Sequence, residues 1–374
     1  MKVTLETAPA LSRRPSAGHD PGRRDDVVLR PAAIAMAFVG AGLAQEEIAV
    51  PGVALAADDV LVSIELSTIC GSDLVTVQGL RPAEVPLVLG HESVGRIIAL
   101  GSAGADAADG TPLRVGDRVV WSVAVSCGDC DRCRAGLTQK CRHLGEYGNE
   151  RITSHRELAG GFASHAHLRR GTAIVRAPEH LPAAVLAPAS CATATAWAAV
   201  EAGARGGDLH GARVRVHGAG LLGLSAAAIA HSRGAVVDVI DPDPARRALA
   251  VRFGAEANAP AEPDIVIEAS GHAVKQAIDG VTVGGTVVLT ETAPAAEPVP
   301  LETESLVRRL VTVIGVHGCT GHDLAAAVSF LAGPGRAHPF AEVVSPVHPL
   351  SALDRALAAA SGPDAHLRVA VAMR

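Results

Sequence analysis

Aromatic side chains are almost missing: 374 residues contain five Phe, two Trp and one Tyr. A core of stacked rings is therefore excluded, and the buried volume has to be filled by Ala, Val and Leu. No apolar run approaches the 18 or more residues that a membrane span requires. An excess of positive charge is lacking as well. The formal net charge is −6, which removes the electrostatic basis for binding nucleic acid or an anionic membrane surface. The paired arginines near the start, Arg13-Arg14 and Arg23-Arg24, are separated by PSAGHDPG and followed by no apolar h-region. No export signal is expected, and the chain is expected in the cytoplasm. Residues 1–30, rich in Pro, Arg, Asp and Gly, are expected to form a poorly ordered extension. The length suffices for two domains and a large core.

Cysteine is sparse overall, yet four of the seven fall within fifteen positions in CGDCDRCRAGLTQKC (127–141). Disulfides, an iron–sulfur cluster and a bound metal ion are the open readings. A reducing compartment keeps thiols free and favours metal over disulfides. The spacing Cys127-x2-Cys130-x2-Cys133-x7-Cys141 lies in a loop where Gly128 and Gly136 let the backbone fold around an ion. Four thiolates with no vacant position describe a structural zinc site, which concerns folding and not catalysis.

Residues 31–185 read as strands and loops. DDVLVSIELSTIC (58–70) and RVGDRVVWSVAVSC (114–127) alternate as half-buried strands do, and no helix-period run of useful length precedes about residue 182. An irregular β-barrel is predicted. The pattern then changes. ARVRVHGAGLLGLSAAAIAHSRGAVVDVID (212–241) reads as strand, Gly-rich turn, Ala-rich helix and strand. The helix PDPARRALAVRFG, the strand DIVIEAS, the helix AVKQAIDGV and the strand GTVVLT follow. Alternating β and α with apolar strands predicts an α/β, doubly wound parallel sheet. From about 325 come two helices, DLAAAVSFLAG and LSALDRALAAAS, and a last strand, LRVAVAM; APAAEPVP (293–300) is the one linker-like stretch.

Gly218-x-Gly220-x-x-Gly223 follows the strand RVRVH and opens a helix, so backbone N–H groups and the helix dipole are placed to hold a pyrophosphate. A tight glycine turn without a ligand is the alternative. Asp241 ends the next strand, 23 residues after Gly218, near the ~20 expected of the acid that binds the ribose. An Asp there accepts from a 2′-hydroxyl and repels a 2′-phosphate, which favours NAD over NADP. Arg246-Arg247 just downstream would tolerate the phosphate.

Two further stretches, STICGSDLVTVQG (67–79) and VLGHESVGRI (88–97), carry Cys70, Ser72, Asp73, His91 and Glu92. With the four-Cys loop and the dinucleotide pattern, the chain resembles the zinc-dependent medium-chain alcohol dehydrogenases over about residues 31–374. The resemblance implies a GroES-like catalytic domain (31–185 and 325–374) and a Rossmann domain (186–324, with Leu222 in its glycine turn). It implies two zinc ions per chain, one catalytic and one structural, and assembly as a homodimer or homotetramer. It further implies that Cys70 and His91 bind catalytic zinc, that Ser72 relays the alcohol proton and that Asp73 orients the imidazole. Glu92 would lie beside the metal. In LAPASCATATAW (186–197) one family register places Ala187 at the third ligand position, where it cannot bind zinc. Another gives Cys191 as ligand with Thr195 against the nicotinamide. The second is preferred, because two protein ligands would hold zinc poorly; a small buried thiol is the alternative.

Val75 stands where many relatives have the histidine that ends a proton relay. The proton is then expected to leave through Ser72 and the ribose, or through another histidine. TICGSDL and APASCATAT look most like the dehydrogenases associated with phosphonate metabolism, a subgroup with His where this chain has Asn149. For a phosphonate, Arg81, His155, His165 and Arg170 are the candidate cations. The expected activity is hydride transfer between a primary or secondary alcohol and NAD. A family member with altered chemistry (reduction of an activated double bond, or a non-redox step) and a non-catalytic nucleotide-binding protein are the other readings.

Overall fold

The computed structural model describes residues 24–257, 262–290, 298–362 and 366–373. Val60–Ile69 is central to the first half. Its inward residues are apolar at every second position, and it pairs antiparallel with Glu92–Leu100, with His165–Leu168 and with the last strand, Val369–Ala372. Arg118–Val125 continues the sheet beside Glu92–Leu100 and pairs with Thr172–Arg176. A three-stranded sheet of Glu46–Ala56, Arg24–Phe38 and Leu87–Val88 covers its open side. The result is the expected irregular barrel.

The second half is a parallel sheet with the order Val236–Ile240, Arg213–His217, Ile265–Glu268, Thr286–Leu289, Thr312–Gly315. Helix Ala192–Ala204 packs against both Leu221–Ser232 and Gly321–Ala332 beside it. In Leu221–Ser232 every residue from Leu221 to Ala230 is buried, and Ala192, Ala194, Ala196 and Ala199 are buried in its neighbour. Small side chains let the helices approach closely, which is how a chain so poor in rings closes its core. That core is continuous with the barrel through Leu66, Val94 and Val120. Four of the eight aromatics meet at one seam, where Trp197, Phe330, Phe340 and Phe253 follow one another at centroid separations of 6.5, 6.1 and 5.0 Å.

Three expectations change. Residues 24–30 are not an extension, because they open the strand Arg24–Phe38, paired with Glu46–Ala56 in the register Asp26↔Ala54 and Val28↔Gly52. The charges that suggested disorder point to solvent while Leu29 is buried, so polarity there marks an outer strand face. The remainder of the expected extension, residues 1–23, lies outside the described residues, as does most of APAAEPVP. Short helices precede residue 182, at Gly71–Val77 and Asp131–Arg134. Neither spans enough turns to show a period. Finally, the domain limits drawn at 185/186 and 324/325 fall inside the helices Ala183–Leu186 and Gly321–Ala332. The latter starts early because Thr320 and Asp323 form a reciprocal cap that a hydrophobic count does not register.

Candidate active site and cofactor-binding turn

The four cysteines of the 127–141 loop converge. Their sulfurs lie within 4.8 Å of one another, with 4.0 Å between Cys127 and Cys133, 4.0 Å between Cys130 and Cys141, and 3.4 Å between Cys127 and Cys141. Tetrahedral zinc with Zn–S bonds of about 2.3 Å demands sulfurs about 3.8 Å apart, so the donor set fits the ion. Backbone amides already point at the sulfurs: Cys127 and His143 N–H donate to Cys141 Sγ, and Cys133 N–H donates to Cys130 Sγ. The amides of Arg142 and Cys133 lower the Cys130 thiol to about 6, which prepares a thiolate. All seven cysteines are unpaired.

A second group forms where the barrel meets the long helices. Cys70 follows the strand Val60–Ile69 and precedes the helix Gly71–Val77; Glu92 begins the next strand over, with His91 just before it; Cys191 sits between the turn Ala187–Ser190 and the helix Ala192–Ala204. One donor atom from each of the four lies within 4.8 Å of the others, and the Cys70 and Cys191 sulfurs are 4.0 Å apart. Ser190 Oγ donates to the His91 carbonyl, which ties the Cys191 segment to the histidine turn. Ala187 is buried one turn earlier and offers no donor.

Asp73 braces both turns. Its Oδ2 accepts from Cys70 N–H, while Oδ1 accepts from Gly90 N–H and lies 3.6 Å from His91 Nδ1. Nε2 of the imidazole is therefore left facing the cluster, 3.5 Å from Ser72 Oγ. Burial opposes a proton on His91, but Asp73 overrides it and raises the ring well above its ordinary range. The Cys191 thiol donates to Cys70, and with Arg368 nearby Cys70 is drawn well below the usual thiol range against the cost of burial.

Glu92 is fully buried. Burial pushes its carboxyl up to about 7 even though Arg368 forms a two-pronged pair with it at 2.7 to 3.0 Å. Thr68 Oγ1 donates to the same carboxylate at 2.6 Å. Arg368 also reaches within 3.6 Å of Cys70 Sγ. This residue was invisible to motif reading, since HLRVAVAM contains no signal. The register explains it: Val369 pairs with Ile69, so the residue before Val369 lies opposite the residue after Ile69, which is Cys70.

The glycine turn joins Arg213–His217 to Leu221–Ser232 as expected. Gly218 has φ +96°, and a Cβ on Gly223 would lie 1.9 Å from the Gly218 carbonyl, so both are required by the protein itself. Gly220 differs. Its backbone is ordinary (φ −72°, ψ 175°) and a Cβ there would meet nothing within 4 Å. The open space at a helix N-terminus is a cradle that fits a pyrophosphate. Asp241 closes the turn, taking Ala219 N–H on one carboxylate oxygen and Asp243 N–H on the other, with a lone pair left on each. Arg247 is folded onto the carbonyls of Asp241 and Pro242. Leu222 is buried in the first turn of the helix, and Thr195 lies one turn beyond Cys191, with its N–H on the Cys191 carbonyl.

The four candidate cations separate. Arg170 is exposed and 3.7 Å from Asp58, His155 occupies an exposed turn at φ +69°, and His165 is held by Ser164. Arg81 alone reaches the Ser72 helix, through bonds to Thr76 and to the Ser72 carbonyl.

Comparisons with known proteins agree with this geometry. The family model described as the alcohol dehydrogenase GroES-like domain matches residues 56–179, and that described as zinc-binding dehydrogenase matches 222–333. An L-threonine 3-dehydrogenase of Anaeromyxobacter dehalogenans is 32% identical over 300 residues, 73% of this chain and 79% of that protein. An L-galactonate-5-dehydrogenase of Escherichia coli is 33% identical over 264 residues, 65% of this chain and 71% of that one. Among solved structures, an alcohol dehydrogenase from Thermotoga maritima superposes with a TM-score of 0.83 at 26% identity, covering 91% of this chain and 99% of its own. A putative zinc-binding dehydrogenase from Sinorhizobium meliloti, bound to NADP, gives 0.77 at 27%, covering 91% and 99%. The chain belongs to the zinc-dependent medium-chain alcohol dehydrogenases, as an oxidoreductase of two parts, one GroES-like and one Rossmann-type.

Proposed function

We propose that the protein oxidises the hydroxyl of a small alcohol bearing an acid group, a hydroxyalkylphosphonate or a hydroxycarboxylate, with NAD as hydride acceptor. One observation carries the reading: the donor atoms of Cys70, His91 and Cys191 meet in one largely buried cluster, and Cys191 caps the helix whose next turn presents Thr195. In this reading Cys70, His91 and Cys191 hold the catalytic zinc, and Cys127, Cys130, Cys133 and Cys141 hold the structural one. Catalytic zinc, when bound, supplies Lewis acidity that eases loss of the substrate's hydroxyl proton. Two thiolates match its charge and the Glu92–Arg368 pair is itself neutral, which leaves the Asp73 carboxylate as the residual charge, held by the Cys70 and Gly90 amides and the His91 ring.

The remaining work falls to side chains. Ser72 takes the hydroxyl proton at Oγ and passes it outward. Val75, one turn along the same helix, has no group to receive it, so the proton leaves by the ribose or by water. Asp73 fixes the imidazole through Nδ1. Thr195 supports the nicotinamide face, and Gly218, Gly220, Leu222 and Gly223 line the pyrophosphate turn. Asp241 accepts from the ribose and selects NAD over NADP. The relatives' named substrates, threonine and galactonate, each combine a hydroxyl with a carboxylate, which supports the acid group. Assembly as a homodimer or homotetramer is proposed through Thr312–Gly315, an edge strand with Val313 exposed. The unpaired thiols suit a cytoplasmic location.

The test is nicotinamide reduction by the zinc-replete protein with NAD and NADP in parallel, across neutral, carboxylated and phosphonated alcohols. Faster turnover of acid-bearing alcohols with NAD supports the reading. Turnover of neutral alcohols alone discards the substrate class. No turnover with two zinc ions and NAD bound moves the assignment to the altered chemistry that Val75 would permit.

A further inference from the structure

We infer that Arg81 is the specificity-determining residue that receives the substrate's acid group, an inference that rests on the dehydrogenase reading above. The helix Gly71–Val77 ends in a tight reversal in which Gly79, at φ +73°, donates to the Thr76 carbonyl and Leu80 donates to that of Val75. The chain is thrown back over the helix, and the Arg81 side chain lies along it. Its guanidinium is held at four points: Nε and Nη2 donate to Thr76 Oγ1 at 3.1 and 2.6 Å, and Nη2 also donates to the Ser72 carbonyl at 3.4 Å and to Asn149 Oδ1 at 2.9 Å.

Every one of these acceptors is neutral. Among the described residues no carboxylate lies within 4.0 Å of Arg81, whereas Arg118 is matched with Glu65, Arg169 with Glu150 and Arg368 with Glu92. Nη1 makes no hydrogen bond to the described residues, so the two N–H donors of that one nitrogen remain for a ligand. A half-buried guanidinium, immobilised but without a counter-charge, carries a desolvation cost that an incoming anion offsets. The two free donors on Nη1 can be met by an oxygen of a carboxylate or of a phosphonate.

Its place sets what the anion belongs to. Arg81 grips Ser72, whose hydroxyl is 3.5 Å from His91 Nε2. The separation between bound acid and reacting hydroxyl is thus on the order of one helical turn, about 5.4 Å, which calls for a short carbon chain between them. Asn149 completes the arrangement. An acidic residue at that position would neutralise the guanidinium, so the amide holds Arg81 in place while leaving its charge available.

The experiment compares wild type, Arg81→Gln and Asn149→Asp on matched pairs: 3-hydroxybutyrate against its amide, and 2-hydroxypropylphosphonate against its diethyl ester. The readout is the ratio of kcat/KM for acid over neutral partner, together with calorimetric binding of each acid to the zinc- and NAD-loaded protein. The ratio is expected to fall roughly 10- to 100-fold in both variants, the worth of one charged hydrogen-bonded contact, with the loss mainly in KM. Preference of wild type for one acid over the other identifies the anion. A merely structural role would lower both partners together and leave the ratio unmoved, which overturns the inference. So would a wild type that favours the neutral partners, although the dehydrogenase reading then stands. Acid binding that depends on Arg81 without any turnover supports the inference and removes that reading instead. Neither binding nor turnover of the acids sinks both.

Discussion

Gly220 and Gly223 sit three residues apart in one turn and should respond oppositely to the same change. A methyl group on Gly223 runs into the Gly218 carbonyl, so Gly223→Ala must open the turn and lower the melting temperature of the cofactor-free protein. A methyl group on Gly220 meets no protein atom. Gly220→Ala is expected to melt with wild type while NAD affinity falls by about tenfold or more, since the cradle is filled. Equal NAD affinity by calorimetry would contradict the assignment of the turn. Cys191 carries a second expectation at this scale. Cys191→Ala removes one donor from the buried cluster, so zinc per chain should drop from two to one with loss of turnover, and the fold should persist because the barrel strands do not depend on it. Two zinc ions in that variant, measured by metal analysis, would return the third ligand to the register question. Asp59 illustrates acid sensitivity. Burial alone would raise its carboxyl, but His167 Nε2 at 2.8 Å and the amides of Ala56 and Arg170 outweigh it and leave it below the ordinary value. The folded state therefore holds the carboxylate more tightly than the unfolded chain does. The stability it contributes is present above about pH 4 and is lost as pH falls through the folded value. The advantage of wild type over Asp59→Asn in thermal melts should shrink below about pH 4; a constant difference from pH 3 to 7 would show that the pair carries no linkage.

Among the elements, the 127–141 loop has little apolar content to hold it. Its helix is four residues long, and it is held by sulfur contacts, by Arg132 on the Lys140 carbonyl, by the Arg142–Asp131 pair and by Lys140, whose Nζ lies 2.5 Å from His317 Nδ1 in the segment leading to the helix Gly321–Ala332. Under the proposed zinc assignment, ligation contributes folding energy to the loop directly. Cys130→Ser should lose one zinc, expose the loop to limited proteolysis and weaken its seat on His317, while the parallel sheet stays intact by circular dichroism. Retention of both ions and full protease resistance would mean that the loop is held by packing instead. The helix Gly71–Val77 shows the converse. It is seven residues long, too short to be stable alone, and is built by the Asp73 cap at one end and the Arg81 turn at the other. Both fastenings belong to the site, so the element exists to place Ser72 between them.

For the whole molecule, two strong local patterns carried most of the architecture. The four-cysteine spacing and the strand–glycine turn–helix run are short-range features, in which neighbours in sequence are neighbours in space. Alternation in 58–70 and 114–127 likewise marked the barrel strands, although nearly every residue of Val60–Ile69 and Arg118–Val125 is buried, because the barrel covers both faces. These signals determined the fold class, the convergence of the cysteine loop and the place of the glycine turn. What the tertiary structure alone decided is long-range pairing. Cys191 meets Cys70 across 121 positions and Arg368 meets Glu92 across 276, through strand register and helix packing that no local window encodes. The same holds for Arg81, whose meaning depends on a neutral Asn149 some 68 residues away and on the absence of a carboxylate nearby among the described residues. Composition misled where polarity and exposure coincide, at residues 24–30, because an outer strand face and a disordered tail look alike when only their residue types are counted. Local chemistry is written in the order of residues, whereas the charge balance of a buried site is set by which distant strands the chain brings side by side.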